Sequence, residues 1–330
     1  MKLIVISSII ALSAALACTS QAGSNNGGNT APADTVAAQN GATFDADSAF
    51  SFIEAQLAFG PRVAGTEGNS RCREWIVAKL RQFGADTVVT QSARLKAFNG
   101  DSFTAVNVFA QINKSAAKRI LLLAHYDTRP WADEDPNPDN RTTPIPGAND
   151  GGSGVAVMLE VARQLSAEPA EIGVDMLFVD AEDYGDSSGS NENSWALGTQ
   201  HWAKNMPYDR QNLPKFGILL DIVGGVGAKF YREYHSDLYA RAINTKVWTA
   251  ARACGFGQTF VNSQAGAVTD DHIHINQADI PCIDIIECNH PSTGSFPPTW
   301  HTLADDITSI DRRSLLAVGT TVMQVIRNEK

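Results

Sequence analysis

Three apolar runs end in residues that a protein core would not choose. Ile120 to Ala124 leads into His125-Tyr126-Asp127, Met176 to Val179 into Asp180-Ala181-Glu182-Asp183, and Ile218 to Leu220 into Asp221. Continuous apolar runs of this length read as strands buried on both faces. In open α/β sheets, ligands bind beyond the carboxyl ends of such strands. A single Asp there would ordinarily be a solvated strand end; three acidic strand ends, one of them with a His, make a shared site. Pro146 to Gly154 adds Asp150 at a Gly-rich helix start. Such a start can cradle phosphate, but Asp150 would oppose it and no Lys follows, so a cation fits better. His301 stands in the loop Pro298-Thr299-Trp300-His301-Thr302; taken alone, a loop His is usually a surface residue.

Carboxylates and imidazoles without thiolate suit zinc, with manganese or another transition ion as the alternative. A catalytic zinc keeps three protein ligands and one open position. The adjacent Glu182-Asp183 then divides its work: one carboxylate ligates, and its neighbour stays free as general acid and base. Cys72, Cys254, Cys282 and Cys288 form no CxxC spacing, which argues against a thiolate zinc site.

The elements that must position these groups alternate. Apolar residues at helical spacing mark Phe50 to Phe59 and Ser70 to Phe83, and alternation marks a half-buried strand from Ala105 to Ile112. Then follow strand 120–124, helix 152–165, strand 174–179, helix 197–205, strand 216–223, helix 237–253, strand 280–286 and helix 311–328, the last capped by Asp311. The expected fold is α/β: a central, mostly parallel, twisted sheet with helices on both faces, in a single domain. The connection from Thr128 to Pro146, with Trp131 and Asp133-Glu134-Asp135, is long and is expected to rim the pocket or stay solvated.

The chain has 330 residues, 43% of them hydrophobic, with 26 Lys+Arg against 36 Asp+Glu and a formal charge of −10. That composition supports a large core and excludes a disordered acidic tail or a disulfide scaffold. An acidic balance without a basic cluster argues against nucleic acid as a partner. Lys2 and the apolar run Leu3 to Leu16 are too short for a bilayer span of about 20 residues. They read as a secretory signal, residues 1–17, with Ala15-Leu16-Ala17 at the cleavage point. Cys18 would then be the first mature residue, a candidate lipid anchor. Residues 18–43 hold no Leu, Ile, Phe, Trp or Tyr and read as a flexible tether. The expected product is an exported, periplasmic or membrane-anchored bacterial lipoprotein with its catalytic domain at 44–330.

His125-Tyr-Asp127, Gly147-Ala-Asn-Asp150, Asp180-Ala-Glu182-Asp183, Leu220-Asp221, Asp270-Asp271-His272 and Trp300-His301-Thr302, in this order, carry a family resemblance. They resemble the zinc-dependent aminopeptidase-like superfamily and, within it, the glutaminyl cyclases. The resemblance implies a zinc-exopeptidase-like fold. For a dinuclear aminopeptidase it implies one zinc on His125 and Asp221, a second on Asp183 and His301, and Asp150 bridging them. For a glutaminyl cyclase it implies one zinc on Asp150, Asp183 and His301, with Glu182 as proton shuttle and Asp221 and Asp270 in a carboxylate network. His125 would then bind a second metal or join that network. Trp300 beside His301, the run Thr269-Asp270-Asp271-His272-Ile273, and Trp195 as a pocket wall favour the cyclase. Two features depart from the cyclase pattern: animal cyclases carry Glu at the position of Asp183, and the run Gly147 to Gly154 looks more peptidase-like; both fit a bacterial branch of the family, to which the lipoprotein-like leader also points. The expected activity is cyclisation of an N-terminal Gln of peptides and proteins to pyroglutamate with release of ammonia. Hydrolysis of N-terminal residues by a two-zinc aminopeptidase is the alternative.

Overall fold

The computed structural model describes residues 44–330; the leader, the tether and Cys18 lie outside the described residues. Two helices come first, α1 (Ala46–Leu57) and α2 (Glu67–Gln82), then an antiparallel pair, β1 (Thr87–Lys96) and β2 (Ser102–Ile112). Alternation follows as expected: β3 (Arg119–His125), α3 (Gly152–Ala167), β4 (Gly173–Val179), α4 (Leu197–Lys204) and β5 (Gly217–Asp221). The chain closes with β6 (Phe230–Arg232), α5 (Tyr234–Ala253), β7 (Phe260–Gln264), α6 (Asp271–Gln277), β8 (Cys282–Ile286) and α7 (Arg312–Asn328).

Six strands form the central sheet in the order β1-β2-β4-β3-β5-β8, and β6 and β7 pair separately. The β4-β3-β5-β8 half is parallel, and β1 and β2 add an antiparallel edge. Side-chain alternation explains the continuous apolar runs. Ile120, Leu122 and Ala124 join the larger core beneath α1, α2, α3, α5 and α7, whereas Leu121 and Leu123 point to the opposite face. There Trp202 of α4 and Ile275 of α6 cover them. Strands with apolar side chains on both faces therefore need helices on both sides of the sheet.

Three differences from the sequence reading have physical causes. β1 is an edge strand in which every second residue is half exposed, so it carries little apolar signal. The strand expected over 216–223 stops at Asp221 because Ile222 turns into the left-handed region at φ 49°. The helix expected from Asp237 starts three residues earlier, where Glu233 caps the N–H groups of His235 and Ser236, and it kinks at Ala240. The expected Asp311 cap is present, its carboxylate accepting from Arg313 N–H.

Candidate active site

The parallel strands deliver their terminal residues to one edge, as the acidic strand ends require. His125 closes β3 and Asp221 closes β5. Asp150 sits just before α3. Gly151, its neighbour, has φ +80°, and a Cβ there would overlap the carbonyl of Asp127. A glycine is thus what lets this helix start against the end of β3.

Asp150 uses its two oxygens differently. Oδ1 lies 3.1 Å from His125 Nε2, and Oδ2 lies 3.6 Å from His301 Nε2. His125 Nε2 is also 3.0 Å from Asp221 Oδ1, and His301 Nε2 is 3.2 Å from Asp183 Oδ1. Two metal-competent triads result, His125-Asp150-Asp221 and Asp150-Asp183-His301, each with its ligand atoms within 4.8 Å of one another. Asp150 belongs to both.

The donor set in the second triad fits a zinc ion. Asp150 Oδ2 and Asp183 Oδ2 are buried and accept no hydrogen bond within the protein. Ligands about 2.0–2.1 Å from a tetrahedral ion stand about 3.3 Å apart, close to the 3.2 and 3.6 Å spacings around His301 Nε2. Two carboxylates and one imidazole leave one position open.

The remaining acids are tuned by burial. Glu182 is 7% exposed, and burial with the nearby Asp270 carboxylate pushes it well above the ordinary glutamate range. Burial and Asp221 raise Asp270 to about 7, and burial raises Asp221 to about 6 against the pull of His125. The hydrogen bond of Asp221 goes to His125. Asp270 caps α6, and its Oδ2 is left without a donor.

All the expected residues converge. Asp150, Glu182, Asp183, Asp221, Asp270 and His301 line one cavity of about 430 Å³ with Trp195 and Trp300; His125 lies behind its wall. The Trp300 ring stacks on His301 with centroids 3.5 Å apart, and Trp195 lies nearly parallel to the same imidazole at 6.1 Å. Phe296 extends the stack beyond Trp300. Trp195 rests on Gly185, where a Cβ would overlap the indole.

Several residues hold the site without lining it; Asp305 and Arg62 carry no distinguishing mark in the sequence, whereas Asp127, Asp180 and His272 stand in the motifs without a role of their own there. Asp127 accepts the backbone N–H groups of Glu182 and Asp183, each at 3.1 Å. Asp305 does the same for Asn149 and Asp150 at 2.9 and 3.0 Å. Arg62 is fully buried and ties the carbonyls of Tyr126, Pro146 and Gly147. Asp180, first of the acidic run after β4, faces away from the cavity and binds Val106 N–H and Asn69. Behind Asp270, buried His272 lies 3.2 Å from Glu233, which it holds at about 2 against the raising effect of burial. The free cysteines are buried or half-buried, and Cys72, Cys282 and Cys288 keep raised pKa values through burial.

Residues 107–326 match peptidase family M28. Among solved structures, the chain is 46% identical to the glutaminyl cyclase of Bacteroides thetaiotaomicron bound to N-acetylhistamine, covering 88% of this chain and 100% of that one, with a TM-score of 0.84. It is 45% identical to a leucine aminopeptidase precursor from the same species, covering 87% and 98%, with a TM-score of 0.83. Among curated proteins it is 28% identical to aminopeptidase YwaD of Bacillus subtilis over 72% of this chain, and spans about half (48%) of that protein. It is 24% identical to the glutaminyl-peptide cyclotransferase of Drosophila melanogaster, covering 76% of this chain and 72% of that one.

Proposed function

The chain belongs to peptidase family M28, and within that family we propose that it is a glutaminyl-peptide cyclotransferase, converting N-terminal Gln of peptides and proteins to pyroglutamate and ammonia. The observation that carries the reading is the pocket: a buried Glu182 beside Asp183 faces a cavity walled by Trp195 and Trp300. The likeness to a bacterial glutaminyl cyclase over 88% of this chain supports it.

In this reading Asp150, Asp183 and His301 would hold one zinc per chain. When bound, it supplies Lewis-acid polarisation of the substrate's γ-carbonyl, worth several kcal/mol. The protein's own groups do the rest. The indole walls exclude water and accept the flat side-chain amide of Gln. The α-amine of the substrate attacks its own γ-carbon, forming the ring C–N bond while the bond to the amide nitrogen breaks. Glu182 takes one proton from the amine and returns it to the leaving nitrogen, which departs as ammonia; no water is consumed. Such shuttling typically contributes ~10²–10⁴ in rate, and the raised pKa of Glu182 suits an acid that must also serve as a base. Asp270, raised to about 7 by burial and by the nearby Asp221 carboxylate, can hold a proton toward the leaving nitrogen, because two close carboxylates do not easily ionise together.

One observation favours a second reading. The His125-Asp150-Asp221 triad retains the geometry for a second metal, bridged by Asp150, as a dinuclear aminopeptidase would need. One experiment separates the two: the protein with zinc is incubated with one peptide starting with Gln and one starting with Leu, and products are followed by mass spectrometry. Loss of a single ammonia from the Gln peptide alone supports cyclisation. Release of a whole residue from either refutes it in favour of the peptidase. We also propose export and anchoring through Cys18; labelling of the wild type, but not of Cys18→Ser, by a fatty-acid probe in a bacterial host is the expected result.

A further inference from the structure

The loop between β3 and α3 carries two charged groups that the reaction above leaves unused. Arg129 is fully buried, and its guanidinium lies over two indole rings, 5.0 Å from the Trp131 centroid and 4.9 Å from that of Trp195. Its Nε and Nη2 donate to the two oxygens of Asp133 at 2.7 and 2.6 Å. Its Nη1 donates to the backbone carbonyls of Asp183 and Gly185, both at 3.2 Å, and lies 3.5 Å from Asp183 Oδ1. Asp133 in turn lies with Oδ1 3.3 Å from Nδ1 of His301, a buried ring nitrogen that makes no aligned hydrogen bond among the described residues, and its Oδ2 accepts from Ser187.

We propose that Arg129 and Asp133 are the positioning pair of the metal site: Asp133 sets the tautomer and ring angle of His301, and Arg129 holds both Asp133 and the Asp183 segment in place. The proposal rests on the reading of Asp150, Asp183 and His301 as metal ligands, and is independent of which reaction follows. A small turn of the ring brings Nδ1–H onto this carboxylate, and an imidazole so bonded keeps a lone pair on Nε2. Here that lone pair faces Asp183 and Asp150. The carboxylate needs its own anchor, because a half-buried acid free to rotate would fix nothing. Bidentate pairing with a planar guanidinium supplies one, and Lys, a point charge, cannot reproduce it. The same guanidinium supports Trp195, so one buried cation ties two metal ligands and one pocket wall to a single loop.

The test measures zinc binding rather than turnover. Full-length wild type, Asp133→Asn, Asp133→Ala and Arg129→Lys are titrated with zinc against a chromogenic chelator, with folding checked by circular dichroism. Asp139→Asn, an exposed acid on the same loop, controls for lost charge, and His301→Ala reports on the ligand itself. The proposal expects the Asp133 variants to lose ~10–100-fold in zinc affinity, the usual effect of removing such a partner, with Asp139→Asn unchanged. Nitrogen-15 spectra of the metal-free protein should show the Nδ1–H tautomer of His301 in wild type and its loss in Asp133→Ala. Folded Asp133→Ala and Asp133→Asn that bind zinc within about twofold of wild type would overturn the positioning role. If His301→Ala also binds normally, it is the ligand assignment that has failed.

Discussion

Replacing Asp127 by Asn should loosen the site although Asp127 contributes no ligand to the metal triad. Asp127 is fully buried and its two oxygens each accept one backbone N–H, from Glu182 and from Asp183. Asn keeps the shape but offers one acceptor and one donor. Whichever way the amide is turned, one of those N–H groups meets an NH₂. The loss is one bond to a charged acceptor and one buried N–H left unpaired, about 2–4 kcal/mol together. At about 2.1 cal/mol/K of unfolding entropy per residue, a folded part of this size moves Tm by roughly 1.5–2 °C per kcal/mol, so a fall on the order of 3–8 °C is expected. The same backbone carries the proposed shuttle and a proposed ligand, so pyroglutamate formation and zinc affinity should fall with stability. Thermal unfolding by circular dichroism, zinc titration and product mass spectrometry read the three effects. A folded variant with wild-type Tm and wild-type turnover would refute the view that this carboxylate holds the Glu182-Asp183 segment.

Glu182→Gln should lose ~10²–10⁴ in turnover while binding zinc as wild type does; near-normal activity would remove Glu182 from the proton path. Gly185→Ala should raise KM more than it lowers stability, because the added methyl displaces the Trp195 ring from the pocket wall; an unchanged KM would mean that Trp195 does not touch substrate. Glu287→Gln should stabilise the protein at alkaline pH. Glu287 is 1% exposed, and burial raises it from 4.5 to about 7. Below pH 4.5 both folded and unfolded chains hold its proton, so the group costs nothing. Between 4.5 and 7 only the unfolded chain ionises, and stability falls by roughly 3 kcal/mol in all. Urea unfolding of wild type and variant across pH 4 to 8 should therefore diverge over that window; parallel curves would show that Glu287 sits in a polar environment.

The fold was legible where burial is one-sided in its demands. β3, β4, β5 and β8 are packed on both faces and so are apolar without interruption, and their alternation with helices implied a parallel sheet. β1 escaped because an edge strand meets solvent on one face and along its outer rim, leaving Val88, Val89 and Leu95 as its aliphatic signal. The seven-residue α6 and the short β6–β7 pair escaped because so few residues hold too few periods to separate helix from strand from turn.

The candidate site was legible as a set but not as a division of labour. His125, Asp150, Asp183, Asp221 and His301 stand out because each interrupts an apolar run, a glycine-rich turn or a proline-rich loop. The same rule also selects Asp127 and Asp180, and these turn out to hold backbone rather than face the cavity. A buried carboxylate that accepts N–H groups and one that awaits a cation have the same residue type and the same sequence context. What separates them is whether the donors are already present, and those come from segments about 55 residues away for Asp127 and about 155 away for Asp305. The 128–146 loop makes the same point with opposite sign. Its acids read as a solvated rim, and Glu134 does line the cavity. Asp135, however, is buried in a turn, bonded to Asn137 and Leu303 N–H, and Asp133 turns inward to Arg129. An acid's role here is decided by which donor the fold brings to it, so a carboxylate with both oxygens already bonded is a brace. One with an oxygen left over and a place on the cavity wall, as in Asp150, Asp183 and Asp270, is where the chemistry should be sought; Asp284 and Glu287 also have unbonded oxygens but do not line the cavity.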